Sequence, residues 1–412
     1  MSGTWPRRRL KHVVDINSRS LPETTKPDAE FRYVDISACG RGALVGAPEP
    51  MQFAEAPSRA RRLVQEGDTI VSTVRTYLRA VWPVTGPSDD LVVSTGFAVL
   101  SPRPGLDSRF LGWLMQSDLV IEEIVARSVG VSYPAINGLE IGNLEVPVPS
   151  QAEQRAIADY LDAETARIDA VLTARRRQRE LLIAFRRSVL DGLTVPRALG
   201  GQADRDGEWP VVPLKRTAAF FADGDWIESP FITTEGIRLI QTGNVGEGEY
   251  REQGFRYVTE ETFSSLACTE VLTGDVLVSR LAGPVGCACL APALGEKMIA
   301  SVDVVIMRPV PGLDPAFAVF YLSSTYHLAL AELLARGTTM QRLSRSQVGE
   351  MPIPLPSIEV QRKIVEEINR RLVQVKALSQ ALNQQIDALT ERRQALVTAA
   401  VTGQLEIPGV AA

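Results

Sequence analysis

At 412 residues the chain is too long for one ordinary core, and 45% apolar with 23% charged residues is the composition of a folded globular protein, which excludes a disordered one. Four scattered cysteines exclude a repeated disulfide framework, and no apolar run approaches the roughly 18 residues a membrane helix needs. The net charge of −5 argues at first sight against a polyanionic partner, but 19 acidic residues against 12 Lys and Arg fall between 201 and 357, so the acidity is local. The basic start, MSGTWPRRRLKHVV, lacks the apolar core of a signal peptide, and a reduced cytoplasmic location is expected.

In chain order, residues 31–36, 68–74, 91–100 and 144–148 read as short strands, rich in β-branched and aromatic residues and bounded by Gly, Pro, Asp and Ser. Residues 109–125 have helical spacing. From Gln151 to Leu190 there is neither Pro nor Gly, and Ile157, Leu161, Ile168, Val171, Leu182, Phe185 and Val189 follow a heptad seam interrupted by Arg175 and Gln178. Ser150 is the natural N-cap. A glycine-containing, charged stretch then links to a second pass of the same order: IRLIQT, DVLVSRL, ASVDVVIM and FAVFYLSSTYHLALAELLA, followed by a second seam from Ile364 to Leu396 capped by Ser357.

The second pass is a duplication. Trp5-Pro6 and Leu10-Lys11 recur as Trp209-Pro210 and Leu214-Lys215 at an offset of 204. Gly67-Asp68, Pro104-Gly105-Leu106-Asp107 and Pro147-Val148-Pro149-Ser150 with Gln154-Arg155 recur as Gly274-Asp275, Pro311-Gly312-Leu313-Asp314 and Pro354-Leu355-Pro356-Ser357 with Gln361-Arg362, all at 207. The fold class expected is therefore α+β: two β-rich domains in tandem (1–150 and 208–357), each followed by a long helix (151–192 and 358–403), with a linker at 193–207 and a tail at 404–412. Helices of about 40 residues span roughly 60 Å, and two of matched length bury their stripes most simply against each other as an antiparallel coiled coil with pseudo-twofold symmetry.

Catalytic and metal sites are not expected. The two histidines, His12 and His327, have no ligand-spaced partners, and Cys287-x-Cys289 lacks a second pair. Gly243-x-x-Gly246-x-Gly248 is not a dinucleotide fingerprint, and no phosphate-binding Gly-x-x-x-x-Gly-Lys loop occurs.

The repeated Pro-x-Pro-Ser…Gln-Arg entry into a long helix resembles the specificity subunits of Type I restriction-modification systems. So do Gly67-Asp68-Thr69-Ile70-Val71-Ser72-Thr73, Gln241-Thr242-Gly243-Asn244-Val245 and the ending Arg392-Arg393-Gln394-Ala395-Leu396. The first helix ending, Ser188-Val189-Leu190-Asp191-Gly192, matches less well, and Ile358-Glu359-Val360-Gln361 departs from the family's usual Glu before Gln. The resemblance implies two target recognition domains that read the halves of a bipartite site on double-stranded DNA, held apart by spacer helices. It further implies that Gln151 to Leu190 and Ile358 to Ala400 dock two methyltransferase subunits, with restriction and translocase subunits joining. No cofactor is expected in this chain; S-adenosylmethionine, ATP and Mg are expected on the partners. The alternatives are a coiled-coil scaffold binding protein only, or the specificity module of another methyltransferase system.

Base reading needs Arg, Asn and Gln on loops, with Ser, Thr, Tyr and Lys holding phosphates. On that chemistry the candidates in the first domain are Arg75, Tyr77 and Arg79 after a strand, and Ser132, Tyr133 and Asn137 in a Gly-bounded loop. In the second they are Arg280, Arg342, Ser344 and Arg345, with Gln241 and Asn244. Divergence between residues 15–65 and their counterparts predicts an asymmetric site.

Overall fold

A computed structural model describes residues 5–130, 133–203, 209–281, 283–337 and 341–410. The chain divides into two compact units, Met1–Arg176 with Gln384–Ala412, and Arg177–Asn383. Each unit thus holds one β-rich domain, the start of the long helix that follows it and the end of the other long helix.

In the first unit one antiparallel sheet runs in the order Val14–Ile16, Phe97–Pro102, Thr69–Ser72, Val81–Pro83. A second sheet runs Glu49–Gln52, Glu30–Val34, Leu91–Ser94, Ala60–Leu63, and its central pair is parallel, with Arg32 opposite Leu91. The second unit repeats both orders. Its sheets are Ala218–Asp223, Val304–Pro309, Val276–Ser279, Ala288–Leu290, and Tyr257–Val258, Ile237–Ile240, Met298–Ala300, Glu270–Val271. Register repeats too: Thr69 faces Leu100 and Val276 faces Met307, each at the 207-residue offset.

Two expected elements are divided. The apolar run 91–100 is two strands in two different sheets, because the chain turns at Thr95 and Gly96. A Cβ on Gly96 would lie 2.5 Å from Ile36 Cδ1, and the Gly96 carbonyl accepts both the N–H and the hydroxyl of Thr73 at 2.8 Å. The helical stretch 109–125 is two helices, Ser108–Gln116 and Asp118–Arg127. They break at Ser117, which is extended and donates its hydroxyl to Leu114 O at 2.6 Å. Periodicity alone does not reveal a one-residue break that a serine stabilises.

The long helices are Gln151–Thr194 and Ile358–Val401, 44 residues each, or about 66 Å at 1.5 Å per residue. A buried glutamine latches each to its own domain. Gln154 donates from Nε2 to Pro149 O (2.8 Å) and Gly105 O (3.1 Å) and accepts the Asp107 N–H (2.7 Å). Gln361 does the same with Pro356 O (2.8 Å), Gly312 O (3.0 Å) and the Asp314 N–H (2.8 Å). The repeated Pro-Gly-Leu-Asp and Pro-x-Pro-Ser motifs therefore supply carbonyls and an N–H to one side chain, which accounts for their appearing together with Gln. Asp107 and Asp314 in turn cap the helices that follow them.

The end of the other helix closes each unit. In the first, Val397, Ala400 and Val401 share a core with Ile157, Leu161, Phe110, Leu111 and Leu114, and Thr398 Oγ1 accepts the Asp118 N–H at 3.0 Å. In the second, Asp191 Oδ1 accepts the Thr325 N–H at 2.7 Å, and both positions are again shifted by 207. The paired helices run antiparallel within the first unit: Ile157 and Leu161 share the core of Ala400 and Val401, whereas Asp169 meets Arg393 at 2.8 Å. Part of the expected seam is not buried. Val171, Phe185 and Leu378 are exposed, while Leu172, Leu382 and Ile386 are buried. No single helix among the described residues is long and apolar enough to cross a membrane.

Candidate nucleic-acid interface

Most of the polar residues singled out in the first domain converge on one ledge. The strand Thr69–Ser72 runs on into Thr73, whose carbonyl accepts the Ile136 N–H at 2.8 Å. Val74 bridges Ala135, and Ala135 bridges Val129. This three-way backbone junction brings the tip 75–79 against the loop 129–137. In the second domain Arg280 O accepts the Leu343 N–H at 2.9 Å, Leu281 bridges Arg342, and Arg342 bridges Arg336. Every one of these positions lies 207 residues beyond its counterpart, so the ledge is itself part of the duplication. Gly130 and Gly337, at φ +122° and +123°, share a backbone conformation that L side chains rarely adopt.

On the first ledge Arg75 lies 5.0 Å from the centre of the exposed Tyr133 ring, within cation–π range. Tyr77 is 53% exposed at the tip of the turn Thr76–Leu78. Arg79 is held by Glu122 at 2.6 Å and Asp118 at 3.6 Å, both on the helix Asp118–Arg127. Asn137 is exposed but committed, because its Oδ1 accepts the Glu140 N–H at 2.8 Å as the N-cap of Gly138–Gly142. Ser132 lies outside the described residues.

On the second ledge Arg342 and Arg345 are exposed, with Asp303 2.6 Å from Arg342 and Asp223 4.0 Å from Arg345. Ser344 occupies the position of Asn137 and does the same work, its Oγ accepting the Gln347 N–H at 3.1 Å. Two expected base readers are structural instead. Arg280 is buried and spends its guanidinium on Asp223 (2.7 Å), Val302 O (2.9 Å) and Leu343 O (2.8 Å), so it fixes the ledge from beneath. By register it corresponds to Thr73, not to Arg75. Asn244 is also buried, its amide donating to Arg251 O and Gln253 O and its carbonyl accepting the Gln241 N–H.

Gln241 and Asn244 belong to a different loop, Thr242–Asn244 and its continuation, which docks on the end of the first long helix. There Arg186 donates to Glu247 O at 2.5 Å, and Arg187 pairs with the Glu247 carboxylate at 3.0 Å. Sequence reasoning missed Arg336, exposed on the second ledge beside Arg342. It stands where Val129 stands in the first copy, an apolar position that carries no polar candidate, so alignment of the copies does not mark it.

Beneath the second ledge lies a buried polar pair. His327 is fully buried, and burial pushes its imidazole down to about 4 although Nε2 sits 3.1 Å from Gly286 O. Its ring lies 5.9 Å from that of buried Tyr321. Val120 and Leu114 occupy these positions in the first domain. Cys287 and Cys289 are core residues whose thiols burial pushes up to about 12. Among the described residues no group of three or more His, Cys, Asp or Glu is placed to hold a metal ion.

Duplicated α+β domains, latched to long helices and offering matched loop ledges, define the class of chain. Two stretches, residues 3–178 and 232–388, match the family model for the Type I restriction modification DNA specificity domain. The chain belongs to this family. The EcoBI Type I restriction enzyme specificity subunit of Escherichia coli is 21% identical over 313 residues, covering 69% of this chain and 63% of that subunit. The EcoKI specificity subunit of Escherichia coli strain K12 is 20% identical over 314 residues, covering 74% of this chain and 68% of that subunit. A chain from a structure described as "Structural basis underlying complex assembly and conformational transition of the type I R-M system" superposes with a TM-score of 0.65 at 25% identity, over 98% of both chains.

Proposed function

We propose that the chain is the sequence-specific DNA-binding subunit of a Type I restriction-modification complex. It reads one half of a bipartite, asymmetric site with each ledge and brings partner subunits to that site, with no catalytic chemistry of its own. The observation that supports this most is the matched pair of ledges: one backbone junction built twice, carrying Arg75, Tyr77, Arg79 and Tyr133 in one copy and Arg336, Arg342 and Arg345 in the other. A repeated frame with different side chains is what reading two unlike half-sites needs.

The outward faces of Gln151 to Leu190 and Ile358 to Ala400 are the docking surfaces in this reading. They take two modification subunits that carry S-adenosylmethionine, with an ATP- and Mg-dependent restriction and translocase subunit joining them in the cytoplasm. Helix length is then the ruler for the unread gap. Inserting one heptad in both long helices adds about 10 Å, or about three base pairs at 3.4 Å each.

Methylation mapping in the native cell supplies the site, and a gel shift on that duplex tests the reading, with and without the modification subunit. The expected result is a shift that either mutated half-site abolishes. Absence of a sequence-dependent shift in both conditions overturns the proposal, and methyl transfer by the chain alone overturns its non-catalytic part.

A further inference from the structure

The tip of the first ledge differs in kind from the rest of the duplicated frame. Tyr77 and Leu78 are 53% and 47% exposed at the end of a single 3-10 turn. The residues on both sides of that turn are arginines in the left-handed region, Arg75 at φ +50° and Arg79 at φ +55°. Non-glycine residues occupy that region at an energetic cost, so the surroundings must over-determine it. They do: the Arg75 N–H donates to Pro134 O at 2.8 Å, and Arg79 is tied to Glu122 and Asp118. Thr76 is buried between them and donates its hydroxyl to Ser128 Oγ at 2.8 Å.

An anchored, doubly left-handed turn thus holds two large apolar side chains out in solvent. The Tyr77 hydroxyl has no hydrogen-bond partner among the described residues. Tyr133 and Val129, 66% and 81% exposed, extend the same apolar surface, and Arg75 supplies the flanking cation. In the second copy the corresponding residues are Pro284, which is half-buried, and Val285, which is only 4% exposed, so neither of these two side chains projects as Tyr77 and Leu78 do.

We propose that Tyr77 and Leu78 form a wedge that enters a base-pair step within the half-site read by the first domain, partly unstacking it, while Arg75 holds an adjacent phosphate. The proposal rests on the DNA-binding reading above and deepens it by dividing the labour: the first domain reads in part through the deformability of its half-site, the second through charge and base edges. The occupant is DNA rather than protein because the apolar tip is flanked by Arg75, which lies over the Tyr133 ring and has no carboxylate partner among the described residues, the arrangement that pairs insertion between bases with neutralisation of an adjacent phosphate; Arg79, held by Glu122 and Asp118, fixes the turn instead.

The test uses the full chain with its modification subunit on the mapped duplex, with 2-aminopurine placed at successive positions of each half-site other than the methylated bases and their neighbours, which a methyltransferase unstacks by itself. The wild type is expected to raise the fluorescence at one step of one half-site and to bend the duplex by fluorescence energy transfer. The double variant Tyr77→Ala, Leu78→Ala is expected to lose both signals and to weaken binding about tenfold, while selectivity at the other half-site stays intact. Tyr77→Phe keeps both signals, which separates insertion from hydrogen bonding by the hydroxyl. Specific binding by the wild type with no 2-aminopurine signal and no bend overturns the wedge alone; no specific binding overturns the DNA-binding reading and the wedge together. A double variant that binds and bends DNA normally but assembles poorly with the modification subunit also overturns the wedge, assigning the tip to a protein contact.

Discussion

At the first ledge the positions 129, 135 and 138 are Val, Ala and Gly; at the second, 207 residues on, they are Arg336, Arg342 and Arg345. The same backbone bridges therefore carry an apolar and aromatic surface in one copy and a basic one in the other. The more acidic half of the sequence holds the ledge with more arginines at these positions, although two carboxylates sit against it: Asp223 anchors buried Arg280 and lies 4.0 Å from Arg345, and Asp303 lies 2.6 Å from Arg342, which leaves Arg336 as the face arginine with no carboxylate partner among the described residues. Summed charge reports composition, whereas binding depends on which side chains a fold leaves uncovered.

If the frame is common and only its surface differs, damage to the frame must cost both copies alike, and this is the largest effect expected. Gln154→Leu and Gln361→Leu each strand two carbonyls and an N–H, and each is expected to destabilise its own unit by roughly 3 kcal/mol. Hydrogen exchange on each variant reads this, and a cost confined to one copy would break the equivalence.

An effect of comparable size at acid pH, and much smaller near neutrality, separates the copies by pH. Buried His327 is neutral when folded, with its pKa lowered to about 4, whereas the unfolded residue titrates near its ordinary 6.5. Below 6.5 the unfolded chain binds the proton first, so stability of the second unit falls as pH drops toward 4, by about 1.4 kcal/mol per unit at the steepest. The first copy, with Val120, has no such term. His327→Val should flatten the acid limb of the second unit in pH-dependent exchange; an unchanged limb would assign the acid loss to other groups.

The smallest effect lies on the surfaces themselves. Arg336→Ala is expected to lower the slope of log affinity against log salt by about 0.9, the signature of one lost phosphate contact. Val129→Ala, at the matching position, should leave that slope unchanged. Equal slopes for both variants in a salt titration would remove the contrast between a charged and an apolar reader.

Much of this architecture was legible because the duplication places each motif twice, and Ser150 and Ser357 mark where proline-rich strands give way to long helices. What escaped were local decisions. An apolar run such as 91–100 looks the same whether it stays in one sheet or passes between two, and only Gly96 against Ile36 reveals the crossing. Arg280 and Asn244 illustrate the limit at the ledges: a polar residue after a strand reads identically whether its donors meet solvent or carbonyls. Arg75, Tyr77, Tyr133 and Arg342 are exposed, as a reader requires.

The closing contact of the first unit bears on biosynthesis. Its core contains Val397, Ala400, Val401 and Ile407, and its helix at Asp118 is capped by Thr398. A ribosome making this protein finishes the N-terminal domain's strands early but cannot supply their last packing partners until some 250 residues later, whereas the second unit has all its pieces once residue 383 has emerged. The domain translated first is thus completed last. A nascent chain arrested before residue 397 would leave Ile157, Leu161 and Phe110 uncovered at the amino end, the stage at which chaperone binding should be strongest.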